Sequence, residues 1–137
     1  MVIVDTGPVV ALLDADDRHH RWAREQFSAL TAPLISCEAV LSEASFLLQR
    51  AGADPGLPAI LVARGMLRIE AVVRSPADAL AVGGMMKRYR NVPMSFADAC
   101  LVHLIERRRR ASVLTLDSDF GIYRQKGRGV IPLLFPD

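Results

Sequence analysis

Five carboxylates stand where the chain changes character: Asp5, Glu43, Asp98, Asp117 and Asp119. Asp5 closes the β-branched run Val2-Ile3-Val4 and precedes Thr6-Gly7-Pro8. Such a run predicts a short strand buried on both faces. Gly allows a sharp turn, and Pro suits the start of a helix. Asp5 should therefore sit where a buried strand ends and a helix begins, a place where an aspartate can also serve as a plain helix cap. Glu43 lies in the second turn of the predicted helix CEAVLSEASFLLQR, among Val40, Leu41, Ala44, Phe46, Leu47 and Leu48. A helix apolar nearly all round is buried on most sides, and a carboxylate within it needs a partner or a cleft. Asp98 follows Ser95 in an S-x-x-D capping arrangement, and Asp117 and Asp119 follow the apolar run SVLTL. Carboxylates gathered in one place repel one another, and a bound divalent cation relieves that repulsion. Oxygen ligands without a matched His or Cys favour Mg²⁺ or Mn²⁺ over zinc. Ions of that kind activate water and neutralise charge in phosphoryl chemistry.

The elements that must position these acids alternate. Strands are predicted at Val2–Val4, Pro33–Ile35, Leu67–Val73, Ser112–Leu116 and Val130–Phe135, the last at an edge because of Pro132. Helices are predicted at Pro8–Leu13, Arg18–Leu30, Cys37–Arg50, Pro55–Gly65 (or two turns broken at Pro58), Ser75–Tyr89, and from Ser95 into the arginine run. Alternation of this kind predicts right-handed crossovers and a single α/β domain over residues 1–137. Its architecture would be three-layer α/β/α around a central parallel sheet of about five strands. In such a sheet the strand C-termini and the N-termini of the following helices share one edge. All five acids fall on that edge. Their convergence favours a shared site over separate caps.

Composition narrows the class. The 137 residues are 51% hydrophobic, yet no apolar run approaches the ~20 residues that span a bilayer. Met1 leads almost directly into the first strand, without a basic and apolar leader, so a cytoplasmic location is expected. Cys37 and Cys100 lack metal-ligand spacing and read as buried thiols. His19 and His20, adjacent on a helix, point apart and make a poor chelating pair. Glu38, near a helix start, complements the helix dipole.

A net charge of +2 does not by itself indicate a nucleic-acid partner, but the basic residues are clustered. Lys87, Arg88 and Arg90 lead into the loop before Asp98 and are the best placed to hold phosphates. Arg107 to Arg110 lie roughly 14–18 Å from Asp98 along its helix, at ~1.5 Å per residue. They suit a helix C-terminus at the opposite edge. Arg124, Lys126 and Arg128 are weaker candidates. For each group a solvated face competes with nucleic-acid contact.

Taken in order, IVDTGPVVALLD, the helix bearing Glu43, SFADACL and LTLDSDF resemble the PIN-domain ribonucleases, and more narrowly the VapC-type toxins of toxin–antitoxin pairs. The resemblance runs from Met1 to about Leu134, and only the stretch from Gly52 to Gly84 matches nothing sharply. It implies a metal-dependent endoribonuclease in which Asp5, Glu43, Asp98 and Asp117 are the catalytic acids. Asp5 and Asp98 would hold Mg²⁺ (or Mn²⁺) most directly, with Asp117 and Asp119 as further ligands. Thr6, Ser95 and Thr115 would be supporting hydroxyls. It also implies an RNA substrate, with tRNA and rRNA as candidate targets, an antitoxin partner and a homodimer. A haloacid-dehalogenase-like phosphatase also carries an aspartate after its first strand but needs a second two residues later, where this chain has Gly7. A non-catalytic RNA- or partner-binding module, its acids purely structural, is the remaining alternative.

Overall fold

The computed structural model of the chain describes residues 1–108 and 110–137. The chain begins with β1 (Val2–Val4), α1 (Thr6–Leu13), α2 (His20–Ala29), β2 (Leu34–Ser36), α3 (Glu38–Arg50), α4 (Leu57–Ala63) and β3 (Leu67–Ile69). It continues through α5 (Pro76–Arg88), α6 (Phe96–Glu106), β4 (Ser112–Leu114) and a 3₁₀ turn at Ser118–Gly121. It ends with β5 (Arg124–Gln125), β6 (Gly129–Val130) and β7 (Leu133–Leu134). The main sheet has five strands in the order β3-β2-β1-β4-β7. Every pairing in it is parallel. Among the described residues six helices flank the sheet, which is the α/β architecture expected.

The strand order places the crevice. From β1 the chain moves to β2 and β3 on one side, then returns to β4 and β7 on the other. The direction reverses between β1 and β4. In open α/β sheets ligands bind beyond the strand C-termini at such a switch point. Ile3 and Val4 of β1, and Val113 and Leu114 of β4, are fully buried there.

The elements differ from expectation where a short strand's extent is decided by its neighbour. The β3 ladder stops at Ile69 rather than Val73. Beyond it, Glu70 pairs with Arg108, and the Ala71 carbonyl accepts from Arg107 Nη2 at 2.9 Å. The expected strand Val130–Phe135 is two pieces. Gly129–Val130 joins an antiparallel ribbon with Arg124–Gln125, and only Leu133–Leu134 joins the main sheet. Pro132 divides them because it has no N–H to continue a ladder, although its carbonyl still accepts from Val113. β7 is an edge strand, as Pro132 suggested. α1 starts at Thr6, α4 is one helix with Pro58 in its first turn, and α5 passes unbroken through Gly83-Gly84.

The His20 ring Nδ1 donates to the Ala11 carbonyl at 2.8 Å, and the His19 amide donates to Asp17. Both cysteines are buried free thiols. Arg109 lies outside the described residues.

Candidate active site

Asp5 is held as the end of a strand. Its amide donates to the Leu114 carbonyl at 3.0 Å, extending the β1–β4 ladder by one step. Its side chain makes no cap hydrogen bond to α1. Instead Oδ2 accepts from Thr115 Oγ1 at 2.9 Å, and the same hydroxyl accepts from the Asp117 amide at 2.9 Å. One buried threonine thus ties together the ends of β1 and β4. Burial is the main cause that raises the Asp5 pKa from 3.8 to about 7. The charges of Asp98 and Asp117 raise it further, against the pull of the Thr6 amide and the Thr115 hydroxyl.

Asp98 does two things at once. It completes a capping box with Ser95: the Asp98 amide donates to Ser95 Oγ at 3.0 Å, and the Ser95 amide donates back to Asp98 Oδ2 at 3.3 Å. The same Oδ2 accepts from the phenol of Tyr123 at 2.9 Å. Burial raises the Asp98 pKa, and the Tyr123 hydrogen bond is the largest opposing cause. Burial and the adjacent carboxylate push the Tyr123 phenol well above its ordinary range, so it remains a donor.

Asp117 opens the 3₁₀ turn, its Oδ1 accepting from the Asp119 amide at 2.9 Å. Glu43 reaches the same place from the second turn of α3. Burial raises its pKa first, with Asp98 and Asp117 adding repulsion and the Thr6 hydroxyl drawing it down. That hydroxyl is buried and makes no well-formed hydrogen bond.

Asp5, Glu43, Asp98 and Asp117 line a single hollow of about 280 Å³, with Thr6, Gly7, Leu47 and Leu116 as the rest of its wall. None of these lining residues is basic. Four elements or their ends supply the four acids: β1, α3, α6 and the segment after β4. Asp119 does not line the hollow; its amide and carbonyl build the turn that carries Asp117. Of the three hydroxyls singled out from the sequence, Thr115 bonds to a carboxylate. Ser95 Oγ caps an amide instead, and the Thr6 hydroxyl faces Glu43 without a well-formed hydrogen bond among the described residues.

Tyr123 was not found from the sequence. Its signal was the spacing of Phe120 and Tyr123 after the acidic turn, since a buried tyrosine hydroxyl needs a partner. Among the described residues no Lys or Arg lines the hollow. Arg90 Nη1 donates to the Lys87 carbonyl, and Arg88 lines a separate hollow with His103, Glu106, Arg107 and Lys126.

The donor set tests what could be held. Among the described residues no three His, Cys, Asp or Glu side chains converge closely enough to bind a metal ion alone. The hollow is lined only by oxygen donors of the hard type, and protein hydrogen bonds fall on one oxygen of Asp98 and one of Asp117. The second oxygen of each is without a hydrogen bond among the described residues. A small hard cation that keeps several of its waters fits that arrangement; a soft or fully dehydrated one does not.

Fold and site together define an open parallel α/β domain with an acidic crevice at its switch point. Residues 2–126 match the PIN domain family, and the chain belongs to it. No curated protein matches the sequence. Among solved structures, the chain is similar to the crystal structure of Mycobacterium tuberculosis VapC20, a sarcin-ricin loop cleaving toxin. The TM-score is 0.70 at 22% identity, over 78% of this chain and 82% of that one, a likeness of fold. Among the described residues no helix is long and apolar enough to cross a membrane.

Proposed function

We propose that this PIN-domain protein is a Mg²⁺-dependent endoribonuclease, with Mn²⁺ as a substitute, and acts as the VapC-type toxin of a toxin–antitoxin pair. The observation that carries the reading is the meeting of Asp5, Glu43, Asp98 and Asp117 in one hollow with no basic residue in its wall among the described residues. Asp5, Asp98 and Asp117 would hold the ion, partly through its waters, with Asp119 in support through the turn. When bound, the ion would supply an activated water and neutralise charge on the phosphate. Glu43, whose pKa is raised by burial and by its acidic neighbours, would take the proton of the attacking water. Attack in line on phosphorus with departure of the 3′-oxygen leaves a 5′-phosphate and a 3′-hydroxyl.

Purified protein should cleave RNA with Mg²⁺ or Mn²⁺, and EDTA should stop it. Asp98→Asn should remove the activity. Cleavage by Asp98→Asn at the wild-type rate, in a preparation free of contaminating nuclease, would defeat the assignment. An antitoxin and a homodimer follow from the same reading. Phe46, Phe96 and Ile60 are exposed, which supports a covered apolar face. A monomer by light scattering at micromolar concentration counts against the dimer.

A further inference from the structure

We propose that Tyr123 is a positioning residue of the acidic site. Its phenol pins Oδ2 of Asp98, so that the carboxylate offers its other oxygen to a divalent cation. This rests on the metal-binding reading above and adds a residue that the acids alone do not reveal.

The capping box by itself holds Asp98 weakly. Its return bond, from the Ser95 amide, is 3.3 Å long. A terminal carboxylate torsion is broad and roughly two-fold, so that bond alone leaves the two oxygens nearly interchangeable. The Tyr123 hydroxyl adds a second and shorter bond, 2.9 Å, to the same oxygen. Two donors converging on Oδ2 fix both the identity of the bound oxygen and the plane of the group.

Tyr123 is itself immobilised. It is fully buried. Tyr89 meets its ring edge-on, with centroids 5.1 Å apart and planes at 67°. Phe120 meets it at 5.2 Å and 81°. The backbone is pinned on both sides: the Tyr123 amide donates to the Asp119 carbonyl, and the Arg124 amide donates to Tyr89 Oη at 3.1 Å. A packed aromatic cluster thus transmits its rigidity to a single carboxylate oxygen. The competing account runs the other way, with Asp98 serving only to satisfy a buried phenol.

Mn²⁺ binding, followed by calorimetry on the intact chain, separates the two. Tyr123→Phe keeps the ring and removes only the hydroxyl. Loss of a group that orients a metal ligand typically weakens binding 10–100-fold, so the Mn²⁺ Kd should rise by about tenfold or more. In an Asp98→Asn background the same substitution should have no further effect on Kd. A Tyr123→Phe Kd within about twofold of wild type overturns the proposal and leaves Tyr123 a core residue. Wild-type protein that takes up no Mn²⁺ overturns the metal-binding reading, and this inference with it. Should Tyr123→Phe fail to fold, fluorotyrosine labelling gives a second measurement. The chain has two tyrosines, and Tyr89→Phe assigns the signal of Tyr123. Mg²⁺ should shift that ¹⁹F resonance, and an unmoved resonance at saturating Mg²⁺ overturns the proposal.

Discussion

Asp5 has a position at which an aspartate usually caps a helix, yet its side chain bonds to Thr115 across the strand ends. Burying a charge that lacks a cationic partner is costly, and that cost appears as a pKa raised from 3.8 to about 7. The sign is the reverse of the usual salt-bridged carboxylate. A raised pKa means that the folded state binds the proton more tightly than the unfolded state. Metal-free protein is therefore not penalised by Asp5 below about pH 4. It loses stability as pH climbs from 4 to 7, and carries the whole penalty above that. A shift of this size corresponds to roughly 4 kcal/mol. Asp5→Asn should abolish cleavage while raising the melting temperature in EDTA at pH 8 by several degrees. It should also flatten the decline between pH 4 and 7. Melting curves across that range check it; an Asp5→Asn protein that melts lower than wild type at pH 8 would show that the charged carboxylate stabilises the fold.

At the scale of elements, Gly7 shows how closely α1 approaches the end of β4. A Cβ built on Gly7 would lie 3.1 Å from Leu116 Cβ. The sequence suggested a turn residue, but Gly7 lies inside α1 and is not among the glycines with positive φ. Its role is to leave room. Leu116 precedes Asp117, so the clash would push on the segment that carries an acid of the hollow. Overpacking of this kind costs about 1–3 kcal/mol, against the roughly 0.5–1 kcal/mol that Ala gains over Gly inside a helix. Gly7→Ala should lower stability by about 1 kcal/mol in urea melts and reduce cleavage by more than that loss of folded protein explains. Equal activity per folded molecule would show that Leu116 yields without moving Asp117. The long elements were legible for related reasons. α3 is a long run rich in apolar residues, α6 is buried nearly throughout behind its Ser95 cap, and β1 carries three β-branched residues, so the edge shared by the acids followed from their alternation. The ribbon of Arg124–Gln125 and Gly129–Val130 was not legible, because two-residue strands have no period to read. Tyr123 was missed with it, since its partner Asp98 is distant in sequence and only the packed fold brings them together.

Over the whole molecule, charge is nearly balanced, with +2 spread over a chain that concentrates acids in its crevice. Long-range attraction cannot bring a polyanion to such a site, so local cation clusters must do it. Arg107 and Arg108 are engaged at the end of α6, by the Ala71 carbonyl and by Glu70. Lys87, Arg88 and Arg90 sit at the end of α5, where Arg88 shares its hollow with Lys126. If they hold RNA phosphates, binding should follow counterion release, with a slope of about −0.7 per contact for a single strand in a plot of log K against log salt. Replacing all three by Gln should make that slope shallower by about 2. The measurement is fluorescence polarisation of a labelled RNA across a KCl series, made in the Asp98→Asn background so that the probe stays intact. A slope that does not change assigns the three residues to a solvated face. Phosphate contact would then fall to other cations, and Arg50, stacked at 5.7 Å over the exposed ring of Phe46, would be the next to replace.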